Sequence, residues 1–204
     1  MKDADVLMVG VGGQGVILAS DAMSEIGMNS GYDVKKTDSL GMAQRGGSVV
    51  SHVRWGKHVF SPMVKRGETD FLVGFEQVEA ARWALYLKPG GVVIVADVTV
   101  MPISIIGGKT PYPSWKEIEN ILSQYTDQIY LIPAPKIARE VGNPRAINMV
   151  ILGFLSAFLE LEQAAWTENI RRRLPPKFVE SSLKAFVRGA EEAKVMIQAK
   201  GVVK

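Results

Sequence analysis

The chain has 204 residues, 47% of them apolar and 22% charged, with a net charge of +3. That is the composition of one ordinary globular domain, large enough to bury about 70% of its unfolded surface without disulfides or metal. Zero cysteines and only two histidines, His52 and His58, exclude thiolate iron–sulfur or zinc sites and thiol nucleophiles. They also leave imidazole chemistry short of parts.

Asp5 to Val11 is a continuous apolar run closed by glycines, which predicts a strand buried on both faces. Gly10-Val-Gly12-Gly13-Gln14-Gly15 satisfies G-x-G-x-x-G at that strand's end. A helix follows over Gln14 to Met28, with Val16, Ile17, Ala19, Ala22, Met23 and Ile26 as its stripe. Small residues let the backbone turn sharply and let a phosphate approach exposed amides, where a helix N-terminus contributes about half a positive charge. Two readings fit the loop: phosphate or cofactor proximity, or a turn that merely packs helix on strand. Tyr32 to Thr37 reads as the next strand. Asp33 and Asp38 lie 18 and 23 residues beyond Gly15, within reach of a nicotinamide ribose by spacing. Lys35 and Lys36 crowd them, and no hydride-transfer acid or base follows.

A glycine-rich polar loop spans Asp38 to Gly47 and contains Arg45-Gly46-Gly47. A guanidinium flanked by glycines is poised for carboxylate or phosphate recognition, or is simply an exposed loop arginine before a strand. Ser48 to Trp55 alternates, with His52 and Arg54 sharing one face. Gly56-Lys57 reads as a tight turn, returning His58 to Ser61 as a short antiparallel strand, so a mixed sheet is expected. Asp70 to Phe75, a helix from Glu76 to Leu87 stopped by Lys88-Pro89-Gly90, and Gly91 to Ala96 restore a βαβ rhythm. Gly108-Lys109-Thr110 imitates a Walker A tail, but isoleucine stands at 103 and Pro111 and Pro113 follow, so an ATPase reading fails.

Trp115 to Tyr125 reads as helix, Gln128 to Ile132 as strand and Ala134 to Val141 as a short helix. Asn143 before Pro144 is a good cap for a long buried helix over Ala146 to Gln163. Asn148, an amide on an otherwise apolar helix, must find a partner, either a neighbouring loop's backbone or a ligand. Arg171-Arg172-Arg173 reads as a solvated helix end rather than a nucleic-acid site, since no aromatic residues interleave it. Lys177 to Lys200 is a terminal amphipathic helix. The whole is one domain over 1–204 with a helical C-terminal part over 146–200. The fold class is α/β: a three-layer α/β/α, Rossmann-like arrangement on a mixed sheet with an antiparallel hairpin. No stretch reaches the roughly 20 apolar residues of a membrane span and no targeting segment is read, so the cytoplasm is the default.

Three segments together carry a resemblance: Gly10-Val-Gly-Gly-Gln-Gly15, Gly41-Met-Ala-Gln-Arg-Gly-Gly-Ser-Val-Val50, and Gly142-Asn143…Asn148-Met149…Leu152-Gly153. With Ser61-Pro62 and Asp70 to Phe75, they make the chain similar to the γ subunits and γ domains of the 2-oxoacid:ferredoxin oxidoreductases. The likeness is strongest to the indolepyruvate-oxidising branch, and it implies the fold of the pyruvate:ferredoxin oxidoreductase γ domain. It further implies oxidative decarboxylation of aryl 2-oxoacids to acyl-CoA, with electrons passed to ferredoxin. Thiamine diphosphate and [4Fe-4S] clusters would sit on a large α subunit, with no metal, covalent cofactor, nucleic acid or membrane on this chain. Coenzyme A would contact Gly10, Gly12, Gly13, Gln14 and Gly15, with Arg45, Gly46, Gly47 and Asn148 as further cofactor-binding candidates. No catalytic residue is expected here. A γ subunit for pyruvate, 2-oxoglutarate or a branched-chain acid, or a stand-alone NAD(P)-binding module, are the alternatives.

Overall fold

A computed structural model describes residues 3–40, 46–101 and 111–201. Six strands form one sheet: β1 (Ala4–Val11), β2 (Asp33–Leu40), β3 (Ser48–Gly56), β4 (Thr69–Gly74), β5 (Leu87–Ala96) and β6 (Ile129–Ile132). The helices are α1 (Val16–Asn29), α2 (Gln77–Arg82), α3 (Trp115–Leu122), α4 (Ala134–Glu140), α5 (Ile147–Ser156), α6 (Gln163–Arg173) and α7 (Pro176–Gly201). The sheet order is β2-β3-β1-β4-β5-β6. β1, β4, β5 and β6 run parallel, while β3 is antiparallel to both of its neighbours.

β1 is buried on both faces because its alternate residues enter different cores. Val6 and Met8 join a core shared with α1, α4, α5, α6 and α7; Leu7 and Val9 join one with α2 and α3. This is the expected three-layer sandwich, thick on one side and thin on the other. Within the thick layer, α5 and α7 touch backbone to backbone. A Cβ on Gly153 would fall inside the carbonyl of Phe186, and one on Gly189 inside that of Val150. Among the described residues, no helix is long and apolar enough to cross a membrane.

Four expectations are corrected. The antiparallel hairpin pairs β3 with the preceding β2, not with His58 to Ser61. Both edges of β3 are already bonded, to β1 and β2, so no free edge remains for a third partner. Residues 57–68 are instead irregular and tied by side chains: Val59 N donates to Asp33 Oδ2 (2.9 Å), and Arg54 donates to the carbonyls of Ser61 and Met63. The helix expected over Glu76 to Leu87 ends at Arg82, and a 3₁₀ turn over Ala84–Tyr86 leads straight into β5. Lys88-Pro89-Gly90 then forms a bulge at the start of that strand, where register shifts between Thr69 and Phe71.

The helix expected over Ala146 to Gln163 breaks after Ser156, and α6 is a separate helix. The break drops Phe158 onto the sheet beside Phe71 (6.1 Å) and Tyr130 (5.6 Å between ring centroids). Asn143 caps a turn instead of the helix itself. Its Oδ1 accepts from Arg145 N (3.2 Å) and its Nδ2 donates to Ser181 of α7 (2.9 Å), while α5 begins only at Ile147. The basic run does close α6, and Arg173 reaches Glu25 of α1 at 2.6 Å.

Candidate functional site

The chain leaves β1 into α1 on the thick face and leaves β4 into α2 on the thin face. β1 and β4 are parallel neighbours, so their C-terminal ends bound a crevice where the direction of winding reverses. Open α/β sheets hold their ligands in such crevices.

The glycine loop lies at this point, and its shape follows from its residues. Gly13 and Gly15 adopt left-handed φ angles of 101° and 84°, which side chains rarely tolerate. Gly10 is required for space: a Cβ there would press within 2.9 Å of Gln14, Phe75 and Val16. Gln14 braces the turn from inside. Its Oε1 accepts from Val11 N (2.6 Å) and its Nε2 donates to the carbonyl of Phe75 (3.1 Å), joining the ends of β1 and β4. Gly12 N donates to Gly47 O (2.9 Å), which brings the second motif against the first. Gly46 is exposed with φ of 84°. Arg45 lies outside the described residues, as does Gly108-Lys109-Thr110.

Gly15 is the N-cap of α1. No side chain caps this helix, and no acidic residue stands in its first turn. Its first amides therefore face the crevice with their dipole uncompensated. The third motif arrives from 133 positions downstream: the amide nitrogen of Asn148 lies 3.0 Å from where a Cβ on Gly15 would stand. Asn148 is only 6% exposed. Its Oδ1 faces the backbone N–H of Met149 at 3.0 Å, and no hydrogen bond from its Nδ2 is present among the described residues. Among the described residues, no loop carbonyl accepts from this amide. α5 likewise begins without a side-chain cap or an early acid.

The thin side of the crevice holds residues that sequence reading missed. Glu76, 1% exposed, caps α2 by accepting from Glu79 N (2.8 Å). Its other oxygen accepts from Val100 N (3.2 Å) and from the Tyr112 hydroxyl. Burial, and then the Glu76 carboxylate, push the Tyr112 phenol above its ordinary range. Glu79 accepts from Ser48 Oγ at 2.6 Å and pairs with Arg82 at 3.2 Å. The strand-to-helix junction after Phe75 was visible in the sequence. That it adjoins the glycine loop depends on β4 pairing with β1, which the sequence does not state.

The nicotinamide geometry is absent. β3 separates β2 from β1, so the end of β2 lies two strands from the glycine loop, roughly 10 Å at ordinary strand spacing. Asp33 is engaged by Lys35 and Val59 N, and Asp38 by Ser51 and Lys36. His52 is a core histidine: its Nδ1 accepts from Val64 N (3.2 Å), and burial followed by the Arg54 charge lowers its pKa. Arg54 itself holds Asp5 through two bonds of 2.7 and 2.9 Å.

Residues 5–192 match the protein family described as pyruvate ferredoxin/flavodoxin oxidoreductase. The chain is 36% identical over 200 residues to the indolepyruvate oxidoreductase subunit IorB of Pyrococcus horikoshii, covering 97% of this chain and 99% of that one. In fold it is similar to the γ subunit of a keto/oxoacid ferredoxin oxidoreductase from Geobacter sulfurreducens. That likeness has a TM-score of 0.69 at 24% identity and covers 94% of this chain and 99% of that one. It is also similar to part of the 2-oxoglutarate:ferredoxin oxidoreductase of Magnetococcus marinus, solved with 2-oxoglutarate, coenzyme A and succinyl-CoA bound. There the TM-score is 0.72 at 20% identity, over 96% of this chain and 32% of that one.

Proposed function

This chain belongs to the pyruvate ferredoxin/flavodoxin oxidoreductase family, and we propose that it is the cluster-free small subunit of an indolepyruvate-type 2-oxoacid:ferredoxin oxidoreductase. The complex converts an aryl 2-oxoacid and coenzyme A into the aryl-acyl-CoA and CO₂. Two electrons pass to ferredoxin and one proton is released. The large partner carries thiamine diphosphate and the [4Fe-4S] clusters, in keeping with a chain that contains no cysteine. This chain supplies the wall that receives coenzyme A phosphates.

The observation that carries the phosphate assignment is the meeting of Asn148 Nδ2 with Gly15 beside the uncapped start of α1. An amide donor without a hydrogen bond among the described residues and a helix N-terminus converge on one spot, a combination suited to an anionic oxygen. Gly12 and Gly13 leave room for the ligand, Gly15 lets Asn148 come close, Gln14 and Gly10 hold the turn, and Gly47 stands against Gly12; Arg45, next in sequence to Gly46, is assigned as a further phosphate contact. The relative at 36% identity, an indolepyruvate oxidoreductase subunit, supports indolepyruvate as the substrate.

The test is co-expression with the large subunit, followed by viologen reduction with indolepyruvate, pyruvate and 2-oxoglutarate in the presence of coenzyme A. Indolepyruvate is expected to be the best substrate; a preference for either of the others replaces the substrate assignment. Asn148→Asp keeps the side-chain size but replaces the donor with a carboxylate. It is expected to raise the KM for coenzyme A about tenfold or more, the cost of roughly one charge-assisted hydrogen bond. An unchanged KM would sink the phosphate assignment.

A further inference from the structure

Phe60 is 97% exposed and Met63 57% exposed, yet the loop that presents them is firmly anchored. Val59 and Val64 are buried on either side of it. Asp33 holds Val59 N, His52 holds Val64 N, and Arg54, itself fixed by Asp5, holds the carbonyls of Ser61 and Met63. Fixing a large apolar side chain in water gains nothing for the monomer. Lys57, Lys65 and Arg66 flank the tip in sequence and are exposed, with Lys65 lying 3.9 Å from Glu68.

The complement lies on the same molecule. A cavity of about 140 Å³ opens at the end of the sheet opposite the glycine loop, walled by Tyr32, Trp55, Phe71 and Phe158. Asp3 and Glu160 stand exposed at its mouth, and the neighbouring Asp70 is paired with Lys88. A cavity of roughly 150 Å³ holds one benzene ring, so this one matches a phenylalanine side chain. The loop and the cavity share one end of the fold: a Cβ on Gly56 would touch both Val59 (3.3 Å) and Asp3 (3.4 Å).

We infer that this end is a self-association surface, in which Phe60 of one copy enters the aromatic cavity of a second copy while the lysines around it meet Asp3 and Glu160. Knob and socket lie side by side, so two copies related by a two-fold axis satisfy each other twice. The glycine-loop crevice, at the other end of the strands, stays free. This assignment does not depend on the redox reading.

Sedimentation of the full chain over a range of concentrations tests it. A reversible dimer is expected, weakened by added salt. Phe60→Asp and Glu160→Arg should each raise its dissociation constant about tenfold or more, as loss of an interface anchor does. Far-UV circular dichroism of each variant should match the wild type, because both side chains are exposed. An equimolar mixture of the two variants should associate more tightly than either alone, since one intact knob then faces one intact socket. A wild type that is monomeric throughout overturns the inference. So does a Phe60→Asp variant that dimerises normally, or a mixture no tighter than its components. Loss of large-subunit binding by Phe60→Asp, with a monomeric wild type, would give the loop to that partner and likewise overturn it.

Discussion

His52 lies among buried side chains with its Nδ1 accepting from Val64 N, and burial with the nearby Arg54 charge depresses its pKa below the ordinary 6.5. The unfolded chain therefore binds a proton here at a pH where the folded chain does not. Its contribution is fully present above pH 6.5 and is lost as pH falls below that value towards the folded pKa. Denaturant titrations between neutral and mildly acid pH should show this loss, and His52→Gln should flatten that part of the curve. Arg54 is the second residue with a reach beyond its strand, gripping Asp5 with two bonds and the 57–68 segment with two more. Arg54→Met leaves a half-buried carboxylate and two carbonyls without their donor. Destabilisation of about 2 kcal/mol is expected from chemical denaturation. Neither role was legible in sequence, where His52 and Arg54 were only neighbours on one strand face.

The elements met expectation where periodicity alone determines them. β1, α1 and β4 appear within two residues of their expected ends, because a run between glycines and a 3.6-residue stripe are local signals. The misses came where a local pattern competes with tertiary demand. The apolar stripe that begins in α5 continues past Ser156 through Phe158, Leu159 and Leu161, all partly buried against the same core. A stripe records burial and not whether the backbone stays helical. The glycines at the crossing of α5 and α7 are an element-scale feature with a sharp consequence. Gly153→Ala must push α7 away from α5, since the new methyl meets the Phe186 carbonyl, which cannot swing aside. A loss of about 3 kcal/mol, at the upper end of overpacking costs, is expected in thermal or denaturant unfolding. Ala at the exposed Gly201 meets nothing within 4 Å and serves as the control.

At the scale of the molecule, three motifs distant in sequence arrive at one crevice, and the proposed function rests on their meeting there. Gly12 N to Gly47 O and Asn148 against Gly15 are the contacts that join them, while Gln14 Nε2 to Phe75 O ties the first to the end of β4. Glu79 adds a tie from α2 to Ser48, next to Gly47. If coenzyme A binds the folded chain there and not the unfolded one, it should stabilise the whole domain. At a concentration one hundred times its dissociation constant the gain is about 2.7 kcal/mol, or roughly 5 to 10 °C in midpoint for a domain of this size. Differential scanning fluorimetry would read the shift, and Asn148→Asp should abolish most of it without lowering the midpoint of the free chain by a comparable amount.

The sequence by itself determined the class of fold, the glycine loop at a helix start, and the absence of thiolate ligands. Each of these rests on residue identity or on a local period. It also carried the family likeness, through motifs whose order along the chain survives any change in packing. Tertiary structure alone decided which strand pairs with which. That decision inserted β3 between β1 and β2, removed the ribose geometry, and set β4 beside β1 to open the crevice. It also set Asn148 beside Gly15, because an amide's neighbour 133 positions away is fixed by how α5 packs against α1 and not by anything within reach along the chain.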